Sequence, residues 1–151
     1  MKSMTWLLSA VLFLSIGFSA CTEDEAPQII DPTVPTGTFV VQRSGSFTAQ
    51  NGTPTAGSAA LGVDDDNETF LRFADGFVTE LATGTVTVYL STSENFVADP
   101  GNGNPDLKLV GVVAENGENF FRISSTVDSK YTHVILWCGS ANIPFGYAPL
   151  Q

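Results

Sequence analysis

The chain has 151 residues, of which 16 are acidic and 6 are basic, so its formal net charge is −10. This excess of acid leaves no basic patch for nucleic acid, and it also repels the anionic headgroups of a membrane. We therefore expect one acidic domain with no nucleic-acid partner, and we expect any membrane contact to run through an attached lipid.

The first 20 residues have the features of an export signal that is removed from the mature protein. Lys2 supplies a short positive region, and the apolar run from Trp6 to Phe18 is too short to span a membrane comfortably. The end of this segment, "FSAC", resembles a bacterial lipobox, with Phe18 where leucine is more usual. The resemblance implies cleavage before Cys21 and attachment of acyl chains such as palmitate to it. An ordinary secretory signal with an incidental cysteine is the alternative.

Residues 21–37 read as an acidic, proline-rich tether between the lipid and the domain. Acidic residues follow the cysteine almost directly, and prolines interrupt any regular element. Such an acidic start resembles the surface-export signal of Bacteroidetes lipoproteins, although a solvated tail would have the same composition. We expect an outer-membrane lipoprotein of the cell envelope that is either periplasmic or surface-exposed.

From residue 38 onward the hydrophobic pattern has the period of a β-strand. In "TVTVYLS", the residues Val86, Val88 and Leu90 face one way and the polar residues face the other. Similar runs are "TFVVQR", "SFTA", "GSAALGV", "TFLRFA", "LKLVGVV", "NFFRISS" and "HVILWC". Turn-forming segments separate these runs, and no helical stripe is present. We predict an all-β domain over residues 38–151, an antiparallel β-sandwich or flattened barrel of about eight short strands.

The charged run "VDDDNETFLRFAD" lies between two of these strands. Asp64, Asp66 and Glu68 alternate like the first ligands of an EF-hand loop, and Asp75 stands at the twelfth position. Thr69 occupies the place of the required glycine, so a charged hairpin turn is favoured over a calcium loop. We predict no metal site. No serine with a base and no distinctive carboxylate pair are visible, so a hydrolytic enzyme is not indicated either.

Cys138 is an unpaired cysteine in the last predicted strand. If Cys21 carries the lipid, Cys138 has no partner within the chain. It is then either a small hydrophobe packed beside Trp137 or a redox or ligand thiol. No basic residue stands near it in the sequence to lower its pKa. His133 lies five residues away, so a regular strand projects the two side chains from opposite faces and disfavours a shared metal or haem.

Several segments occur in an order that resembles the DM13 domain, over residues 45–150. They are "GSFTAQNGTPTAGSAAL", "TFLRFADGFVT", "TVYLS", "LKLVGVVAENGENFFRISSTVD" and "YTHVILWCGSANIPFGYAPL". The most specific part is the end, where Trp137 and Cys138 precede the "FGYAPL" run. The sequence departs from the pattern at Thr85, where proline is common after glycine, at Phe121, where tyrosine is usual, and at Ser124, where proline is frequent.

The resemblance implies a compact extracytoplasmic β-domain that acts in electron transfer through one cysteine. That cysteine is proposed to work as a bare thiol or to hold a prosthetic group such as haem. Carried over to this sequence, the role falls on Cys138, with Trp137 as a cofactor contact. We expect a redox component with a protein partner, not a turnover enzyme. The alternative is a non-enzymatic binding or adhesion module that presents the polar loops at residues 64–67 and 99–106.

Overall fold

In a computed structural model of the chain, residues 33–96 and 104–151 are described. The predicted signal segment, Cys21, most of the predicted tether and residues 99–103 of the predicted long loop lie outside these residues. Within residues 33–96 and 104–151, no helix is long and apolar enough to cross a membrane.

The described residues form nine antiparallel strands in two sheets, which confirms the predicted all-β sandwich. One sheet has the order β1-β3-β4-β7 and the other has the order β2-β9-β8-β5-β6. The strands are β1 (Val40–Ser46), β2 (Thr48–Ala49), β3 (Ser58–Val63), β4 (Thr69–Phe73), β5 (Val86–Ser91), β6 (Leu107–Val112), β7 (Asn119–Ile123), β8 (His133–Cys138) and β9 (Ile143–Pro149).

Strand β9 is the element that the sequence pattern did not predict. Its segment contains Pro144 and Pro149, and proline is disfavoured inside a sheet because it cannot donate a ladder hydrogen bond. In the structure Pro144 lies opposite Trp137, beside a register shift in the β8–β9 pair where the regular ladder is interrupted. Phe145 of this strand is buried in the core, so tertiary packing outweighs the low local propensity.

The alternation predicted for β5 is present. Val86, Val88 and Leu90 have no exposed surface and belong to the core cluster between the sheets. The intervening Thr87 and Tyr89 are half-buried on the outer face. Because the two inner faces bury apolar side chains against each other, the sandwich is stabilised mainly by the hydrophobic effect.

Phenylalanine rings fill much of this core. The ring of Phe73 lies 5.0 Å from Phe47, 4.6 Å from Phe77 and 5.1 Å from Phe121, measured between centroids. Tilted and edge-on pairs of this kind stabilise a core beyond the area they bury. Phe121, which stands where the DM13 pattern usually has tyrosine, is thus part of the aromatic packing.

Strand β8 runs through the middle of the larger sheet, between β9 and β5. Val134, Leu136 and Cys138 point into the core cluster. The strand therefore places Cys138 at one end of the sandwich and His133 at the other.

Candidate functional site

Cys138 is the last residue of β8, opposite Val86 on β5 and Ile143 on β9. It is a free cysteine, and its exposed fraction is 0%. Its side chain belongs to the core cluster. In packing terms alone, Cys138 behaves as the small buried hydrophobe that free cysteine commonly is.

The surroundings of its sulfur are nevertheless polar. The Sγ atom lies 3.3 Å from the hydroxyl oxygen of Ser140 and 3.5 Å from that of Thr83. The backbone N–H groups of Ser140 and Ala141 also donate to the sulfur. Two hydroxyls and two amides thus converge on one atom, and successive backbone N–H groups in a turn favour an anion.

Two exposed loops hold these donors in place. The turn after β8 is closed by the N–H of Asn142, which donates to the Cys138 carbonyl at 2.8 Å. Gly84 in the facing loop has a φ of +111, and a Cβ atom there would lie 3.2 Å from Ser140 Oγ. Glycine is therefore needed where the Thr83 loop approaches the turn. Gly139, by contrast, is exposed, and a Cβ atom there would meet nothing within 4 Å.

These donors set the direction of the thiol pKa. Burial raises the pKa of Cys138, because it disfavours the thiolate. The hydrogen bonds from the hydroxyls of Ser140 and Thr83, followed by those from the amides of Ala141 and Ser140, outweigh burial and hold the pKa below its ordinary value of 9.0. Hydroxyl and amide groups thus lower the pKa of Cys138, although no basic residue lies near it in the sequence.

Ser140 contacts both the sulfur and the facing loop. Its hydroxyl donates to the Thr83 carbonyl oxygen at 2.5 Å. Because a hydroxyl has only one proton, it cannot donate to the sulfur at the same time. The neutral thiol therefore donates to Ser140 Oγ. Through this hydroxyl, the sulfur is connected to the loop that carries Thr83.

Trp137 and His133 lie on the opposite face of β8 from the sulfur. The Trp137 ring stacks on Phe96, with 3.9 Å between centroids and 18° between planes. His133 Nδ1 lies 2.9 Å from Thr132 Oγ1. The odd spacing of His133 and Cys138 predicted this separation, and the alternation of a strand separates Trp137 from Cys138 in the same way. The structure brings neither ring to the sulfur.

A haem held by Cys138 does not fit this arrangement. The sulfur has no exposed surface, and the Thr83 and Ser140 hydroxyls beside it belong to two loops that are hydrogen-bonded to each other. An iron atom could reach the sulfur only if the Thr83 and Ser140 hydroxyls beside it moved away. The residues present suit a bare thiol or thiolate, and we derive no chemistry through a haem.

The acidic run at residues 64–68 forms the hairpin turn between β3 and β4. Asp64 is buried, and its carboxylate accepts the N–H of Thr36 at 2.9 Å and those of Asp66 and Glu68 at 3.0 and 2.9 Å. The Thr36 hydrogen bond is the largest cause that lowers the pKa of Asp64, and the other two add to it against burial. Across the described ranges, no group of three or more His, Cys, Asp or Glu residues could hold a metal ion.

Sequence reasoning singled out Cys138 but missed its hydroxyl partners. Ser140 follows two residues later in a turn, so its spacing could have suggested a donor to the sulfur. Thr83 lies 55 residues away along the chain, and nothing local marks it. The pairing of β5 with β8 brings it close, because Val86 stands opposite Cys138.

Comparison with known proteins gives one match. The family profile described as "Electron transfer DM13" matches residues 46–150. No curated protein and no solved structure matches the chain.

Proposed function

Because the chain belongs to the electron transfer DM13 family, we propose that it transfers electrons outside the cytoplasm with Cys138 as its redox thiol. The observation that carries this assignment is the set of polar groups around a buried sulfur: the hydroxyls of Thr83 and Ser140, and the amides of Ser140 and Ala141. A cysteine that only fills space needs apolar neighbours. Hydroxyls and amides gathered around one sulfur favour its anionic form.

The redox step proceeds from the thiolate. Deprotonation of Cys138 releases a proton, and Ser140 turns its hydroxyl toward the sulfur. The thiolate then gives one electron to an oxidised acceptor protein and becomes a one-electron-oxidised sulfur. A reduced donor protein returns the electron and restores the thiolate.

Burial supports this role by limiting side reactions. Oxidation of a cysteine to sulfenic and higher acids requires access to the sulfur, and so does pairing with another thiol. With no exposed surface, Cys138 is protected from both. A lone cysteine can therefore stay reduced in a compartment where disulfides form.

The experiment compares the full chain with Cys138→Ser by direct electrochemistry on an electrode. We expect the wild-type protein to give a reversible one-electron response that Cys138→Ser lacks, while both give the same far-ultraviolet circular dichroism. Ser129→Ala, which removes an exposed hydroxyl at the other end of the sandwich, should keep the response. An identical response in wild type and Cys138→Ser would remove Cys138 from the proposal. It would leave a binding or adhesion module as the function to test.

We also propose that the lipid on Cys21 anchors the protein to the outer membrane of the cell envelope. The support is the "FSAC" segment and the acidic residues after it. Acyl chains contribute about 0.8 kcal/mol for each buried CH₂, so more than one chain anchors firmly. We expect labelled palmitate to enter the wild-type protein and Cys138→Ser but not Cys21→Ala. Release of the wild-type protein into the soluble fraction would contradict the anchor.

A further inference from the structure

An open cleft lies at the end of the sandwich away from the sulfur. Its volume is about 530 Å³, within the range of small-molecule sites. The floor is apolar and includes the buried Leu61 and Leu150, with Val127 beside them. Thr132 also lines the cleft, and its hydroxyl donates to the carbonyl oxygen of Thr92 at 3.2 Å. Because Thr132 directly precedes β8 and Cys138 ends it, the cleft and the thiol occupy opposite ends of one strand.

A β-bulge aims a cation into this cleft. The register of the β1–β3 pair shifts between Val41 and Arg43, so Arg43 lies opposite Leu61 and its side chain points to the same, inner side of the sheet. Its guanidinium donates from Nη1 to the carbonyl oxygen of Tyr131 at 2.6 Å. That bond fixes the group in place, and a guanidinium carries further donors beyond it.

Arg43 makes no ion pair with any carboxylate of the described residues. Arg72 pairs with Glu118 at 2.6 Å and Arg122 pairs with Glu68 at 2.8 Å. Within residues 33–96 and 104–151, Arg43 is the arginine that makes no such pair, and no acidic residue lines its cleft. In a chain of net charge −10, a guanidinium that makes no ion pair with the described residues is unexpected.

We propose that this cleft binds a small organic carboxylate with an apolar body. The guanidinium would receive the carboxylate in a charge-assisted hydrogen bond. The leucine and valine side chains would cover the apolar part, and rim hydroxyls would accept or donate to polar substituents. This site is independent of Cys138, because it uses none of the residues around the sulfur.

A purely structural role for Arg43 makes a different prediction. An inward-pointing charge on an edge strand discourages pairing with another sheet, and β1 is an edge strand. In that case substitution of Arg43 would promote self-association and change no ligand affinity. The two roles can therefore be separated by experiment.

The test is titration of the full chain with phenylacetate and with phenylacetamide, its neutral counterpart, followed by methyl NMR. We expect phenylacetate to shift the methyl signals of Val63, Val127 and Leu150, and to bind about tenfold more tightly than the amide. Arg43→Gln should remove that preference, and Arg43→Lys should retain part of it. Arg72→Gln removes the same charge from an ion-paired site and should leave the preference unchanged.

Equal affinity for phenylacetate and phenylacetamide in the wild-type protein would overturn the proposal, and so would shifts confined to other methyl groups. This comparison needs no variant, so it holds even if Arg43→Gln fails to fold. If Arg72→Gln also lost the preference for phenylacetate, the overall charge of the protein would be its cause, and this result would count against the site. Self-association of Arg43→Gln with unchanged affinity would assign Arg43 to edge protection alone.

Discussion

The two ends of β8 show two ways in which one sandwich accommodates charge. At the thiol end, neutral hydroxyls and amides surround a sulfur with no exposed surface. At the cleft end, a fixed guanidinium lies over an apolar floor that is open to solvent. Hydroxyl and amide dipoles can favour the thiolate form of the protein's own cysteine, whereas a solvent-accessible guanidinium can attract an anionic ligand. The first arrangement suits a redox group and the second suits a ligand.

The largest expected effect comes from the core that both ends share. Phe73 has no exposed surface and contacts three other phenylalanine rings. We expect Phe73→Ala to lower the free energy of unfolding by about 3–5 kcal/mol, because it leaves a large cavity. Urea unfolding of the full chain measures this loss.

The matched control for the core is Val112→Ala, since Val112 is 51% exposed. An exposed substitution of this kind should change stability by no more than about 0.5 kcal/mol. Similar losses for both variants would contradict the view that the aromatic core supports both ends.

A smaller effect is expected at the thiol end. Ser140→Ala removes a hydroxyl that contacts both the Cys138 sulfur and the Thr83 carbonyl. We expect a loss of about 1 kcal/mol in the free energy of unfolding and a rise in the thiol pKa. Ser129→Ala at the cleft end should do neither. An unchanged thiol pKa in Ser140→Ala would contradict the role given to this hydroxyl.

The smallest effect should appear in acid, near the cleft end, at the turn after β3. The pKa of Asp64 is held below its ordinary value of 3.8, chiefly by the N–H of Thr36. A lowered pKa means that the carboxylate stabilises the fold fully above pH 3.8 and that this contribution is lost as the pH falls through the folded pKa. Asp64→Asn should therefore have a flatter acid dependence of the urea midpoint than wild type.

The control for this turn is Asp66→Asn. Asp66 is exposed, and its substitution removes the same charge as Asp64→Asn does. Its acid dependence should match that of the wild-type protein. A flattening in Asp66→Asn as large as in Asp64→Asn would mean that net charge, and not the Asp64 hydrogen bonds, governs the acid response.

The sequence predicted features that depend on local pattern and missed those that depend on distant pairing. The alternation of Val86, Val88 and Leu90 predicted β5, because one buried face imposes a period of two. Strand β9 was not predicted because its segment contains two prolines, and pairing with β8 stabilises it. The contact of Thr83 with the sulfur depends on a meeting of two loops that are distant in sequence. The inward orientation of Arg43 depends on a β-bulge. The local sequence pattern predicts neither feature. Cys138 itself could be singled out from the sequence, because assigning Cys21 to the lipid leaves it without a cysteine to pair with.

The most direct test of the central claim is the pKa of Cys138 in the folded protein. It can be followed by the ultraviolet absorbance of the thiolate, with Cys138→Ser subtracted to remove other groups, before and after unfolding in urea. Fixed donors around the sulfur predict a midpoint that is lower in the folded chain than in the unfolded one. A folded midpoint equal to or above the unfolded midpoint would contradict the account and leave Cys138 as a buried packing residue.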